Sequence, residues 1–524
     1  MSINKSEQAH SHKAIIKSAG IIGIATLCSR ILGFIRDVVI ARLFGVYLYA
    51  QAFVIAFKIP NLFRDALGEG AANAAFVPVF SEYAVTRSKE EYWKLVNVVL
   101  NLLFVALAGI TVLGIIFSPF IVRLVAPGFA ADIEKLNTTV TLNRLIFPYI
   151  LLVSLAAYAT AILNSLKHFS IPAFAPCLLN ISIIVCAMLF GEGIKGLALG
   201  ILIGGLLQLA VQVPMLYKKG FRFTYFLRCF THPAARKIGK LLVPRLFSSG
   251  IYQLNNFVDT FFGSLAFIVG EGGVVALYLA YRLIQFPIGI FSNALSQAIL
   301  PTFSTQALED TRDKIKRTLS FGLRVSFLVM VPASVGLMVM AKLIVGTLFQ
   351  GGKFDVYATN MTSGVLIFYA IGLAAYGSGK IINSCFFALQ DTVTPAKLSF
   401  LALASNIILN SLLICPLKLK GIALATSISG INTCILSLFI LTKRLKFPEV
   451  KMVIFSFVRI LSASLAMGIL CWYIMRYNFG ANGFGKWIEL ITMFSVSICS
   501  YIVFCFIFRV GELQEALRWM RKMR

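Results

Sequence analysis

The chain has 524 residues, 59% of them hydrophobic and only 13% charged, with a mean hydropathy of +0.86 and a formal net charge of +27. Soluble domains run at about 45–50% apolar and about 25% charged, so a single soluble core is excluded and many lipid-embedded helices are implied. Nucleic acid is excluded as the reason for the positive charge, because Lys and Arg sit mostly in short loops between apolar runs, as in the cytoplasmic loops of a membrane protein.

In chain order, residues 1–17 are polar and basic, and the apolar run that follows continues too far for a cleavable signal peptide. An all-α polytopic chain of about fourteen spans is predicted, over 19–44, 48–80, 95–125, 140–166, 172–191, 196–217, 241–269, 274–304, 320–349, 358–388, 396–415, 421–441, 453–475 and 487–508. Several of these exceed one bilayer crossing, so tilts or breaks are expected.

Span one, GIIGIATLCSRILGFIRDVVIARLFG, carries charges where hydrocarbon should be. Arg30 lies about 16 Å into it at about 1.5 Å per residue, near mid-bilayer. Arg36 and Asp37 follow. On an ideal helix Arg30, Gly33 and Asp37 share a face and Arg36 points elsewhere, unless a bend at Gly33 brings it inward. Span two carries Lys58, Asp65 and Glu69 on one face with Arg64 beside them, and Pro60, Gly68 and Gly70 invite a break of the kind tolerated where a helix lines a cavity. Span eight, VVALYLAYRLIQFPIGIF, holds Arg282 five residues before Pro287.

A central membrane charge costs about 2.5–3.5 kcal/mol on insertion scales and usually marks a pathway. Internal pairing, such as Arg36 with Asp37 or Glu69 and Lys58 with Asp65, accounts for single residues. It does not account for the set, because Arg30, Arg36, Lys58, Arg64 and Arg282 outnumber Asp37, Asp65 and Glu69 by two. A surplus of cations asks for an anionic partner, and the guanidinium fork suits phosphate oxygens.

Loop charges set the orientation. Lys13 and Lys17, the 218–240 loop, Arg312 to Arg317, Lys443 to Lys451 and the terminal Arg518, Arg521, Lys522 and Arg524 all fall on one side of a fourteen-span chain. The alternate loops, such as GVYLYA at 45–50, are nearly free of basic residues. Both termini are therefore expected in the cytoplasm.

The chain also repeats itself. LAAYATAILNS at 155–165 matches LAAYGSGKIINS at 373–384, KGLALG at 195–200 matches KGIALA at 420–425, and AFVPVFSEYA at 75–84 matches AILPTFSTQA at 298–307, with offsets between 218 and 225. Each unit would hold six spans in the same orientation, a pattern of transporters that hold substrate between halves. The expected organisation is a first lobe over 1–225, a second over 226–447, and two further spans with a tail over 448–524. The ten cysteines form no CxxC pair, and the four histidines form no metal motif.

SRILGFIRDVVIARLFG at 29–45, AFKIPNLFRDALGEGA at 56–71, AFVPVFSEY at 75–83, FPYILL at 147–152, FSIPAFAPCLLNIS at 169–182 and YRLIQFPIGIF at 281–291 resemble the MurJ/MviN lipid II flippases over almost the whole chain. The resemblance implies the MOP-superfamily fold: two six-helix parallel-repeat lobes plus two additional helices. It implies a substrate, the undecaprenyl-pyrophosphate-linked peptidoglycan precursor lipid II, and a multi-pass, monomeric, non-enzymatic transporter of the bacterial inner membrane serving cell wall biogenesis and cell shape. Other superfamily roles, polysaccharide-lipid flippase or multidrug exporter, are the alternatives. A drug exporter would want an acidic cavity, and a membrane glycosyltransferase would need catalytic carboxylates near a large outer loop.

Carried over by position, the family's cavity arginines fall on Arg30, Arg36, Arg64 and Arg282, its acidic partners on Asp37 and Glu69, and Ser29 belongs to the same motif; the bottom-up reading adds Lys58. Gln51 stands where several family members have an aspartate. Spans thirteen and fourteen would, by resemblance, hold the lipid tail. Some members resemble sodium-binding transporters in the second lobe, which places a candidate Na+ set on Asp259, Asn406, Asn410 and Thr426. All four offer oxygen ligands. Interhelical hydrogen bonding is the plainer role for the asparagines. No other cofactor is expected.

Overall fold

The computed structural model describes residues 5–64, 72–191, 193–224, 237–240, 254–308, 312–445, 450–476 and 484–513. Every extended regular element among them is a helix; the one β feature is an isolated Gly351–Phe354 bridge. The chain forms two compact units, Met1–Gln253 and Leu254–Arg524. The lobe boundary expected at 225/226 lies at the edge of residues outside the described ones.

The first unit contains α1 (Lys5–Phe44), α2 (Leu48–Arg64), α3 (Ala72–Thr86), α4 (Lys89–Ile116), α5 (Ser118–Val125), α6 (Ile133–Ile146), α7 (Tyr149–Ser165), α8 (Ser170–Phe190), α9 (Ile194–Ala210) and α10 (Val213–Lys218). The second contains α11 (254–263), α12 (Ala266–Val269), α13 (Gly273–Pro287), α14 (Asn293–Leu308), α15 (Arg312–Val339), α16 (Ala341–Leu348), α17 (Val356–Ile371), α18 (Leu373–Ala388), α19 (Val393–Leu417), α20 (Leu419–Leu445), α21 (Val450–Arg476) and α22 (Phe484–Ile507).

The repeat seen in sequence is a repeat of packing. In the first unit α2 packs on α6, α3 and α4 on α7, and α8 on α9. In the second, α13 packs on α17, α14 and α15 on α18, and α19 on α20. Helices α21 and α22 stand outside the repeat and pack on each other and, through α21, on α15.

Among the described residues, ten helices are long and apolar enough to cross a bilayer, or eleven when α17 and α18, bent by 44° at their junction, count as one span. These eleven correspond to eleven of the fourteen spans expected from sequence. The other three are 19–44, 48–80 and 241–269. Span one packs Arg30, Arg36 and Asp37 into a single crossing length, and the other two run into residues outside the described ones. The number fourteen is thus not reproduced by length and apolarity.

An unsatisfied polar group in hydrocarbon costs several kcal/mol, and the long-range side-chain bonds of the two units meet part of that cost. In the first unit, Tyr158 is ringed by Phe76 and Phe80 at 5.4 and 5.7 Å and donates its hydroxyl to the Val96 carbonyl at 2.7 Å. In span eight, Pro287 has no N–H to give, and the next turn, Ile288–Ser292, widens to a π-helix. Such bulges are frequent at functional positions, and this one follows Arg282 by less than two turns.

Candidate functional site

In the first unit the expected residues divide into two environments. Arg30 is exposed on α1 and makes no hydrogen bond or ion pair among the described residues. Arg36 and Asp37 are each only 3% exposed. The Arg36 guanidinium donates from Nη2 and Nε to Asp37 Oδ1 at 2.7 and 3.1 Å, and from Nη1 to Asn180 Oδ1 on α8 at 3.1 Å. It also lies 5.5 Å from the centre of the Phe57 ring on α2. Asn180 in turn donates from Nδ2 to the Ser29 carbonyl at 3.2 Å. Gly33 lies under this amide, where a Cβ would sit 3.7 Å from both amide heteroatoms.

Helix α1 is unbroken across Gly33. Arg36 is drawn inward by its partners on a continuous helix, and Asn180 is the residue that sequence reasoning missed. The signal available was one asparagine in the apolar run PAFAPCLLNISIIV. Lys58 is half-buried on α2 and Arg64 ends that helix. Gln51 is buried. Glu69 and Asp65 lie outside the described residues.

In the second unit Arg282 is exposed on α13. Its Nε and Nη2 donate to the Tyr278 hydroxyl at 3.2 and 3.1 Å, and its guanidinium lies 5.2 Å from the centre of the Tyr278 ring. Tyr278 is one turn earlier on the same helix, so the fork is oriented locally.

The four oxygen-bearing residues of the second unit do come together. Thr426 donates to Asp259 Oδ2 at 2.8 Å, and Asn410 Nδ2 reaches Asp259 Oδ1 at 3.3 Å and Asn406 Oδ1 at 3.0 Å. Asn406 Nδ2 donates to Thr426 Oγ1 at 3.0 Å. A fifth member, Tyr369 on α17, donates its hydroxyl to Asp259 Oδ2 at 3.3 Å. Asn406 and Asn410 are fully buried, and Asn410 Oδ1 has no hydrogen-bond partner among the described residues. An unmet buried acceptor costs about 1–3 kcal/mol. The donor set is all oxygen with one carboxylate, which fits a hard cation of low charge.

These features define a class: a multi-pass helical transporter built from two repeated lobes with cations set into its membrane helices. The fold is that of the MOP superfamily. An inward-facing multidrug resistance MATE family transporter of that superfamily aligns with TM-score 0.68 at 16% identity, over 80% of this chain and 94% of that one. A lipid II flippase MurJ in an inward closed conformation aligns with TM-score 0.78 at 29% identity, over 93% of this chain and 98% of that one.

The family model described as lipid II flippase MurJ matches residues 40–490. A probable lipid II flippase MurJ of Buchnera aphidicola subsp. Acyrthosiphon pisum is 34% identical over 93% of this chain and 96% of its own length. The lipid II flippase MurJ of Burkholderia cenocepacia is 33% identical over 86% and 89%. The chain belongs to the lipid II flippase MurJ family.

Proposed function

We propose that this chain flips lipid II from the cytoplasmic to the periplasmic leaflet of the bacterial inner membrane by alternating access of its two lobes. The observation that carries the reading is the family match, which spans residues 40–490. The chemistry agrees with it. A pyrophosphate presents several anionic oxygens, and Arg30 and Arg282 are exposed guanidinium groups on α1 and α13, suited to two-point phosphate contacts. Lys58 and Arg64 add positive charge from α2, and Ser29 adds a hydroxyl. Asp37 and Glu69 balance the excess so that the site releases its cargo. No bond is made or broken in the cargo, so the protein is not an enzyme. It works as a monomer with fourteen spans and both termini in the cytoplasm.

The second-lobe oxygen set reads as the coupling site: Asp259, Asn406, Asn410 and Thr426 would hold Na+, with Tyr369 bracing the carboxylate. When bound, the ion supplies a positive charge that neutralises Asp259.

The test is depletion of the resident flippase in a bacterium followed by expression of this chain. Restored growth, together with restored access of an externally added degrading enzyme to lipid II, is the expected result. Membrane-inserted protein that restores neither would overturn the reading.

A further inference from the structure

Tyr369 stands where three features of the second unit meet. Its side chain is buried near the end of α17. Its hydroxyl donates to Asp259 Oδ2 at 3.3 Å. Its ring meets that of Tyr281 on α13 edge to face, with 5.9 Å between centres and 65° between planes. The Ser427 hydroxyl of α20 faces the Phe368 carbonyl at 2.7 Å and the Tyr369 carbonyl at 3.3 Å. Ser427 directly follows Thr426, a member of the oxygen set. α20 therefore holds the Asp259 carboxylate with one residue and the end of α17 with the next.

Tyr281 is the residue before Arg282. Successive side chains leave a helix about 100° apart, so α13 turns Tyr281 onto Tyr369 while Arg282 stays exposed. The Arg282 fork takes its orientation from α13 itself, through the Tyr278 hydroxyl one turn back. A shift of α13 is thus carried directly to Arg282. The π-helical turn that follows, Ile288–Ser292, is a point at which helices bend.

The oxygen that Tyr369 bonds is shared. Thr426 donates to Asp259 Oδ2 at 2.8 Å and has a second acceptor in the Ile422 carbonyl at 3.1 Å. The bond from Tyr369 is the longer of the two on Oδ2. Bonds to an ionised carboxylate are about twice as strong as neutral ones, so the hold on Tyr369 weakens when a cation shares that carboxylate.

We propose that Tyr369 is a positioning residue that couples the cation set at Asp259 to Arg282 through the Tyr281 ring, resting on the readings of Asp259 as a cation ligand and Arg282 as a phosphate contact. With Tyr369 bonded to Asp259, the ring pair fixes Tyr281 and α13 presents Arg282 to the cargo. With the carboxylate shared by a cation, Tyr369 loosens, the ring pair shifts and the grip of Arg282 weakens. Cation and lipid II then oppose one another, each lowering the affinity of the other by the same factor. Release of cargo is favoured on the side where the cation is more concentrated.

The experiment uses the purified full-length chain in sodium and in potassium at matched ionic strength. It measures the dissociation constant for lipid II, and the melting temperature without lipid II. The wild type should melt higher in sodium and bind lipid II about ten-fold more weakly there. Tyr369→Phe keeps the ring and the four residues of the cation set. It should keep the melting response and lose the ten-fold difference, binding lipid II in potassium as weakly as the wild type does in sodium. Tyr281→Leu removes the ring pair and should also lose the difference while keeping the melting response.

A Tyr369→Phe chain that melts lower in both salts and retains the ten-fold difference has lost only a structural contact, and overturns the proposal. So does a wild type that is stabilised by sodium yet binds lipid II equally in both salts, or more tightly in sodium. If Tyr369→Phe does not fold, Tyr281→Leu decides, and a retained difference overturns the coupling. A wild type whose melting temperature ignores sodium fails at the cation reading, and the proposal falls with it. Full lipid II affinity in Arg282→Ala removes the phosphate contact instead, and with it the coupling.

Discussion

The Arg324 guanidinium donates to the Glu512 carboxylate at 2.9 Å, with the two side chains only 14% and 6% exposed. Arg324 belongs to α15, and Glu512 follows the end of α22. The chain reaches it by turning at Arg509, whose φ is +52°. The Val510 amide closes the turn on the Cys505 carbonyl at 2.9 Å, and Val510 packs with Ile460 and Ala463. Ser456 of α21 donates to the same carboxylate oxygen at 2.8 Å. One buried carboxylate therefore ties both additional helices to α15.

Breaking a buried pair from one side strands the other charge, which costs about 3–5 kcal/mol. Glu512→Ala should therefore lower the melting temperature of the purified chain more than the double change Arg324→Leu, Glu512→Leu, which leaves no charge stranded. Equal losses in the two variants would show that the pair contributes through packing alone.

A second prediction concerns the KG step shared by the repeats, Lys195-Gly196 and Lys420-Gly421. A Cβ at Gly196 would lie 3.0 Å from the Cys186 carbonyl oxygen, and one at Gly421 would overlap the Leu413 carbonyl oxygen outright. These obstacles are backbone, which cannot rotate away. Small residues allow such close helix approach in membranes, and overpacking costs about 1–3 kcal/mol. Gly421→Ala should destabilise the α19–α20 hairpin and lower folded yield in detergent, with Gly196→Ala milder. Thermal unfolding curves of both variants, compared with wild type, provide the check.

The parts of this fold legible in sequence were those with a period or a repeat. Eleven expected spans coincide with helices because about twenty apolar residues have few other uses. Asp259, Asn406, Asn410 and Thr426 were placed together by resemblance, and their hydrogen bonds form one cluster. Asn180 and Glu512 were not legible. Their partners lie 144 and 188 residues away in the chain, and no local pattern encodes such pairing. Glu512 also sits in a polar run after the last span, where a carboxylate normally faces water. Charge and family position group Arg36 with Arg30, and burial distinguishes the two.

The loop between α18 and α19 gives a pH prediction. The Asp391 carboxylate accepts from the Thr394 amide at 2.9 Å, the Thr394 hydroxyl at 2.7 Å and Arg444 at 2.7 Å. The Thr394 groups first, then Arg444, hold its carboxyl below the usual aspartate range. A carboxyl lowered by folding adds stability that is complete above the unfolded value of about 3.9 and is lost as pH falls through the lower folded value. The melting-temperature gap between wild type and Asp391→Asn should therefore be widest near neutrality and shrink toward pH 3. A gap that stays constant across that range would mean that the charge contributes nothing.

The last prediction separates the exposed arginines from the buried one. Arg30 makes no ion pair among the described residues, and Arg282 is oriented by the Tyr278 hydroxyl. If both grip the pyrophosphate, Arg30→Ala and Arg282→Ala should abolish flipping while leaving melting temperature nearly unchanged, because neither removes a buried partner. Arg30→Lys should restore part of the activity at best, since an ammonium keeps the charge and loses the planar fork. Arg36→Ala should behave differently: it strands Asp37 in a buried site, so it should lower the melting temperature as well as the flipping rate. Tyr278→Phe keeps the ring beneath Arg282 and removes the acceptor, and should weaken flipping less than Arg282→Ala does. The measurements are protection of lipid II from an external degrading enzyme and thermal unfolding of the same purified variants. Full flipping by Arg30→Ala or Arg282→Ala would remove the phosphate-gripping role, and an unchanged melting temperature in Arg36→Ala would remove the distinction between the two kinds of arginine.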